Sequence, residues 1–449
     1  MKEKDRDGNV GKFMYELIKE LFPICRSITG DGVRKTLDIL KQYIPIKINE
    51  VKTGTEVFDW QVPKEWNIND AYIKNSVGEK IVDFKKSNLH VLNYSIPVNK
   101  KMTLDELKPQ LYTLAEHPDW IPYLTSYYKE NWGFCLSYNQ YKTLTDDVYE
   151  VFIDSELKDG FLTYGELEIK GKSEEEILFS CYLCHPSMCN DSLSGVVLLT
   201  FLAKNLLKLD LNYSYRFLFI PETIGAITWL ALNEKKVARI KCGLVATCLG
   251  DRGISTYKKT KKGDSYIDKV VEKVLIDSGD PYRIIDFFPW GSDERQFSSP
   301  GFDLDVGSLM KTPYGRFPEY HTSADNLDFI CADSLLDSLK KYLEVVFIFE
   351  NENYYVNLNS KCEPQLGRRG LYNMVGSRIG VDVLKKAIFW ILSFSDGKNS
   401  LLDISFRSGL KFEIIKKAAD VLCECDLLAE KNENFLFKEN DFKLDKTSL

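Results

Sequence analysis

The sequence predicts an α/β protein: a mostly parallel-centred sheet flanked by helices, with an inserted β-rich domain and a C-terminal winged-helix domain. Three observations carry this expectation. Continuous apolar runs at 177–184, 215–220 and 243–248 alternate with helix-like stretches at 194–207 and 226–238, the texture of a buried parallel sheet with crossover helices. Residues 46–160 break that alternation with short runs between Gly, Pro and Asn signals and many aromatics, as a β-rich module does. After Glu363-Pro364 a helix–turn–helix pattern closes the chain, the core of a winged helix.

The elements follow in order. Within residues 10–45, Val33, Leu37, Leu40 and Ile44 keep one helical face apolar, and Thr29-Gly30-Asp31-Gly32 separates two helices. In the insertion, 88–94 and 148–153 are the clearest strands; Trp60, Trp66, Tyr94, Trp120, Tyr123, Tyr127, Tyr128 and Trp132 lie in it. The Trp-bearing segments 60–66 and 120–132 are where substrate access would be restricted. Beyond the three apolar runs, 266–276 has helical spacing, 284–288 and 304–309 are strand candidates, and 333–349 is a long amphipathic helix. The first helices are assigned to the α/β part. The expected domains are therefore 1–45 plus 161–362, the insertion 46–160, and the winged helix 363–449. In the last, helices are expected at 383–392, 400–407 and 412–427, with a short strand at 435–438.

Composition narrows the function classes. The chain has 449 residues, 59 Lys and Arg against 66 Asp and Glu, and a net charge of −7. A phosphate-neutralising nucleic-acid binder leans basic instead. From Gly367 onward, 14 Lys and Arg stand against 12 Asp and Glu, which favours a protein-contacting or site-covering winged helix over a DNA reader. No run of about 18 apolar residues spans a membrane, and the polar start MKEKDRDGN has no signal-peptide core. A cytoplasmic protein with free thiols at its eleven cysteines is expected. The string Cys181-Tyr182-Leu183-Cys184-His185 matches a haem-attachment pattern, but it lies in a buried-strand run without an export signal.

Chemistry gathers at the strand ends. Of four histidines, His185 ends the first apolar run in Cys184-His185-Pro186-Ser187-Met188-Cys189-Asn190-Asp191, and Glu222 ends the second after Pro221. Open α/β sheets bind ligands beyond the carboxyl ends of their strands. His321 arrives on a loop, in Glu319-Tyr320-His321-Thr322-Ser323-Ala324-Asp325. Imidazoles with carboxylates suit zinc or a similar divalent ion, and a nearby uncommitted carboxylate can deprotonate an activated water. Asp325 with Asn326 reads as a turn.

These motifs resemble the zinc-dependent exopeptidase (aminopeptidase-like) superfamily. The resemblance rests on His185…Asn190-Asp191-Ser192-Leu193-Ser194-Gly195, Pro221-Glu222, Gly291-Ser292-Asp293 and Tyr320-His321-Thr322-Ser323-Ala324-Asp325. It is strongest to bacterial proteins that add an inserted β-rich, protease-associated-like module and a C-terminal winged helix. It implies zinc, with His185, Asp191 and His321 as ligands, Glu222 as the catalytic base, and Asp293 shaping the substrate site. Apart from the resemblance, Arg26 in the early helical break is a candidate to meet a substrate carboxylate, with a structural acid as the leading alternative. Three positions depart from the superfamily pattern. Thr223 follows the base where a second acidic ligand is usual, Thr247 falls near a usual acidic ligand, and Ser187 stands where a His-x-Asp pair is usual. The departures favour one zinc over two, or substitution of the missing ligands by Glu319, Asp251 or Asp293. The implied activity is metal-dependent hydrolysis of a peptide or small amide. The alternatives are deacylation or cyclisation of a modified sugar or small amide at a single metal, and a degenerate-site regulatory protein with a DNA- or protein-contacting winged helix. A homo-oligomer is compatible with each.

Overall fold

Seven consecutive buried residues make Glu176–Tyr182 a strand covered on both faces. In the computed structural model, which describes residues 3–371 and 379–431, it lies at the centre of an eight-stranded sheet. In chain order the strands are β1 Lys47–Lys52, β2 Phe161–Ile169, β3 Glu176–Tyr182, β4 Ser214–Ile220, β5 Ile240–Val245, β6 Ser255–Lys258, β7 Tyr282–Ile285 and β8 Val306–Met310. Their spatial order is β1-β2-β4-β3-β5-β8-β6-β7. The central four, β4, β3, β5 and β8, run parallel. The joins β1–β2, β2–β4 and β8–β6 are antiparallel.

Register positions the site. Tyr182 of β3 lies opposite Ile220 of β4, so the loops carrying His185 and Glu222 leave the sheet side by side. The loop after β3 runs into the helix Ser194–Leu206, most of which is buried. Gly195 permits this: a Cβ there would lie 2.0 Å from the Ala246 carbonyl oxygen, closer than any side chain can sit.

Two expectations about extent are corrected. β1, expected inside the insertion, is the edge of the main sheet. Four of its six residues are polar and half are exposed, so no apolar run marks it. Residues 88–94 do not form a strand. Asn88–His90 is a 3-10 turn capped by Ser87, and Val91 and Asn93 make single bridges to Phe134 and Thr125. The remaining insertion is built on an antiparallel sheet ordered Lys80–Asp83, Glu65–Lys74, Val148–Lys158, Val98–Thr103. Ala71, Ile73, Val82, Val98, Phe134 and Val151 fill its own core.

The chain divides into the units Met1–Glu344 and Val345–Leu449. The second begins before the expected boundary at 363. It contains the strand Tyr354–Asn357, which lies between Asp396–Ser400 and Leu428–Glu430. Its helices are Ile379–Phe394, Leu401–Ser408 and Phe412–Glu424, and Gly409 makes the turn in a left-handed conformation. The strand expected at 435–438 lies outside the described residues. Among the described residues, no helix is long and apolar enough to cross a membrane. All eleven cysteines are unpaired.

Gly195→Ala is expected to destabilise the first unit by about 2 kcal/mol or more through overpacking. A lowered urea midpoint, followed by tryptophan fluorescence, checks this.

Candidate metal centre

Three loops meet over the carboxyl ends of β3, β4 and β5. The segment Cys189–Leu193 is entirely buried, so Asp191 enters the site with no solvent on either oxygen. Asp325 fixes that segment: its carboxylate accepts hydrogen bonds from the backbone N–H of Asn190 (2.6 Å) and Asp191 (2.9 Å). The turn role expected for Asp325 is therefore joined by a larger one, as a clasp on the Asp191 loop.

His185, Asp191 and His321 converge. Asp191 Oδ2 lies 3.9 Å from His185 Nε2 and 3.1 Å from His321 Nε2. Both Asp191 Oδ2 and His321 Nε2 are buried atoms without a hydrogen-bond partner. An unpartnered buried carboxylate oxygen is costly. Two such atoms facing one point, with a second imidazole nitrogen beside them, fit a divalent cation. The three donors satisfy the ligand types and count of a zinc site that keeps one position open. Burial, reinforced by the charges of His321 and Arg26, lowers His185 to about 4, so its ring is neutral and able to coordinate. Burial alone would raise Asp191, but His185, His321 and the Tyr182 hydroxyl outweigh it and hold the carboxyl at about 2.

The other oxygen of Asp191 is occupied differently. Oδ1 accepts hydrogen bonds from the hydroxyls of Tyr182 and Thr247, which lie 2.8 Å from each other. In the superfamily pattern this aspartate bridges two ions. Here two neutral hydroxyls stand on the second side, one of them at the position expected to depart from an acidic ligand. The donor set fits one zinc. The described residues contain a further metal-capable group, Cys184, His185 and Glu222, and it shares His185 with the first.

Glu222 completes the cluster, its Oε2 3.8 Å from His185 Nε2. Burial, with the charges of Asp293 and Asp191, pushes its carboxyl well above the ordinary range. Asp293 accepts from the Thr223 N–H at 2.7 Å and is itself raised to about 7, chiefly by burial. Arg295 donates to the Thr223 hydroxyl at 3.3 Å.

Three other candidate residues have partners of their own. Arg26 is fully buried and donates to the backbone carbonyls of His185 (3.0 Å) and Leu21 (2.7 Å), so it props the His185 loop from behind. Asp251 is committed to the Asn190 amide, the Thr312 hydroxyl and N–H, and the Gly253 N–H. Glu319 supplies its backbone carbonyl to Thr322. Neither Asp251 nor Glu319 belongs to a metal-capable group.

The insertion reaches the centre through the segment 120–132, where the sequence places restriction of substrate access, and it does so by contacts to the His321 loop that the sequence does not show. Ile121 and Ser323 exchange hydrogen bonds, and the Tyr123 N–H donates to the His321 carbonyl at 2.8 Å. The Tyr123 ring lies 5.2 Å from His185 and 5.1 Å from His321, while Tyr320 stacks on His321 at 4.0 Å. The contacts of Tyr182, Cys184, Tyr123 and Arg295 with the centre come only from folded geometry.

Comparison with known proteins places the family and the fold. A family described as a domain of unknown function (DUF4910) matches residues 15–352, and a winged helix-turn-helix family matches 353–430. A Clostridium acetobutylicum protein, "Putative polysaccharide biosynthesis protein with aminopeptidase-like domain", is 63% identical over 421 residues, covering 94% of this chain and 97% of that protein. The crystal structure of a "putative peptidase" from Clostridium acetobutylicum has a TM-score of 0.91 at 62% identity, covering 95% of this chain and 98% of that one. A zinc aminopeptidase from Bacillus subtilis has a TM-score of 0.54 at 11% identity, covering 76% of this chain and 94% of that one. The fold is zinc-aminopeptidase-like.

Asp191→Asn and His321→Ala are each expected to weaken zinc binding by more than the about 10–100-fold that partners behind a ligand are worth. Glu319→Gln is expected to leave it unchanged. Competition with a chromophoric chelator measures all three. Tyr123→Ala, by freeing the His321 loop, is expected to weaken zinc about tenfold in the same assay.

Proposed function

The chain belongs to the DUF4910 family, and from that premise we propose that it is a single-zinc amide hydrolase that removes an acyl group from an amino sugar. The observation that carries a single-ion reading is the capping of Asp191 Oδ1 by the Tyr182 and Thr247 hydroxyls, where a two-ion site needs that oxygen for metal. The sugar follows from the relative whose name includes polysaccharide biosynthesis.

His185, Asp191 and His321 would hold the zinc, which when bound would supply Lewis acidity for the acyl carbonyl and a water pKa lowered to about 7. The chain's own residues do the rest. Glu222 takes a proton from the attacking water and delivers it to the leaving amine nitrogen; its carboxylate lies beside the His185 ring, within reach of a water at the site. The products are a carboxylic acid and a free amino sugar. Asp293, through the Thr223 N–H, holds the turn that carries Glu222, where Thr223 adopts a φ of 63°. Tyr320 stacks on the His321 ring and Tyr123 meets it edge-on, which holds its orientation.

For the winged helix we infer a protein contact. Lys416 on the helix Phe412–Glu424 is ion-paired to Asp420 of the same helix, and Glu413 and Glu424 are exposed on it. That face is poorly suited to phosphates.

Glu222→Gln is expected to lower turnover by about 100-fold or more while retaining zinc, measured as acetate release from N-acetylated amino sugars alongside metal content. Loss of zinc in this variant would reassign Glu222 to the ligands. Hydrolysis of aminoacyl fluorogenic amides in place of N-acetyl sugars would replace the deacylase reading with an aminopeptidase one.

A further inference from the structure

His185 has two ring nitrogens, and only one faces the other donors. Nε2 points to Asp191 Oδ2 and Glu222 Oε2 at 3.9 and 3.8 Å. Nδ1 points away from them, to Cys184 Sγ at 3.4 Å. We propose that Cys184 is a positioning residue that holds His185 in the tautomer a metal requires, its sulfur accepting a hydrogen bond from Nδ1–H so that the Nε2 lone pair is free for the ion. This rests on the single-zinc reading of the site.

The direction of the bond follows from the surroundings. A neutral imidazole carries one N–H. If the thiol donated to Nδ1, the ring proton would sit on Nε2, aimed at oxygens too distant to accept it, and coordination would be blocked. The sulfur already serves as an acceptor, because the backbone N–H of Glu222 donates to it at 3.3 Å. One buried sulfur therefore fixes both the ring of a ligand and the backbone of the base.

A ligating histidine almost always donates its other N–H to a carboxylate, a carbonyl or water. The superfamily pattern offers an aspartate two residues after this histidine. Here that residue is Ser187, whose hydroxyl donates instead to the Phe22 carbonyl at 2.8 Å. The group that faces Nδ1 is the thiol of the residue preceding His185. Sulfur is a weak acceptor, so this ring is pushed less toward the metal than a carboxylate partner would push it.

The test uses the full-length protein with zinc, cobalt and no metal. Cys184→Ala should raise the zinc dissociation constant about 10–100-fold, and Cys184→Ser, which restores an acceptor, should recover part of that loss. Imidazole nitrogen NMR of the metal-free wild type should show His185 protonated at Nδ1. Unchanged zinc affinity in Cys184→Ala, or a His185 protonated at Nε2, would overturn the assignment. So would a sulfur-to-cobalt charge-transfer band in the cobalt form, because it would make Cys184 a ligand. If the wild type binds no zinc, the hydrolase reading fails, and the NMR result still decides the role of Cys184. If Cys184→Ala does not fold, Cys184→Ser and the wild-type spectra decide it.

Discussion

The two oxygens of Asp191 have different partners, and the site depends on that division. Burying a carboxylate costs several kcal/mol unless its oxygens are satisfied. Oδ1 is satisfied by the Tyr182 and Thr247 hydroxyls, whereas Oδ2 has two imidazole nitrogens nearby and no hydrogen bond. A cation at Oδ2 completes the charge balance; a second one at Oδ1 would have to displace both hydroxyls. The backbone of Asp191 cannot easily turn to exchange the two, because Asp325 grips its N–H and that of Asn190.

The sheet makes this arrangement rigid before any ligand arrives. β3 and β4 end level with each other, and Ala246, which follows β5, lies against Gly195 at the start of the helix that leaves the Asp191 loop. Arg26 braces the His185 carbonyl from the N-terminal side, and Tyr123 of the insertion braces the His321 carbonyl. Each ligand is thus held by a different part of the chain, the kind of preorganisation that electrostatic catalysis needs.

How much of this was legible in the sequence depended on distance along the chain. The central strands were plain because a strand buried on both faces leaves an unbroken apolar run, as β3 does. The edge strand β1 left none, because half of its residues are exposed. At 88–94 apolar residues are buried without a ladder, so spacing alone misread them. His185 and Glu222 were findable as a rare and an acidic residue at strand ends, Asp191 and His321 in loop motifs. Cys184 meets Glu222 across 38 residues and Asp325 meets Asn190 across 135, and no local pattern encodes such contacts. Arg26 offers a charge that suits a substrate carboxylate or a structural acid; completely buried, it instead donates to two backbone carbonyls, the other use of a guanidinium.

The central claim is one ion, held by His185 Nε2, Asp191 Oδ2 and His321 Nε2. An anomalous-difference map from a zinc-soaked crystal, recorded on both sides of the zinc edge, tests it most directly. The account predicts a single peak within about 2.0–2.2 Å of those three atoms, with the Tyr182 hydroxyl still on Oδ1. Two peaks bridged by Asp191, or one peak on the Cys184 sulfur, would contradict it.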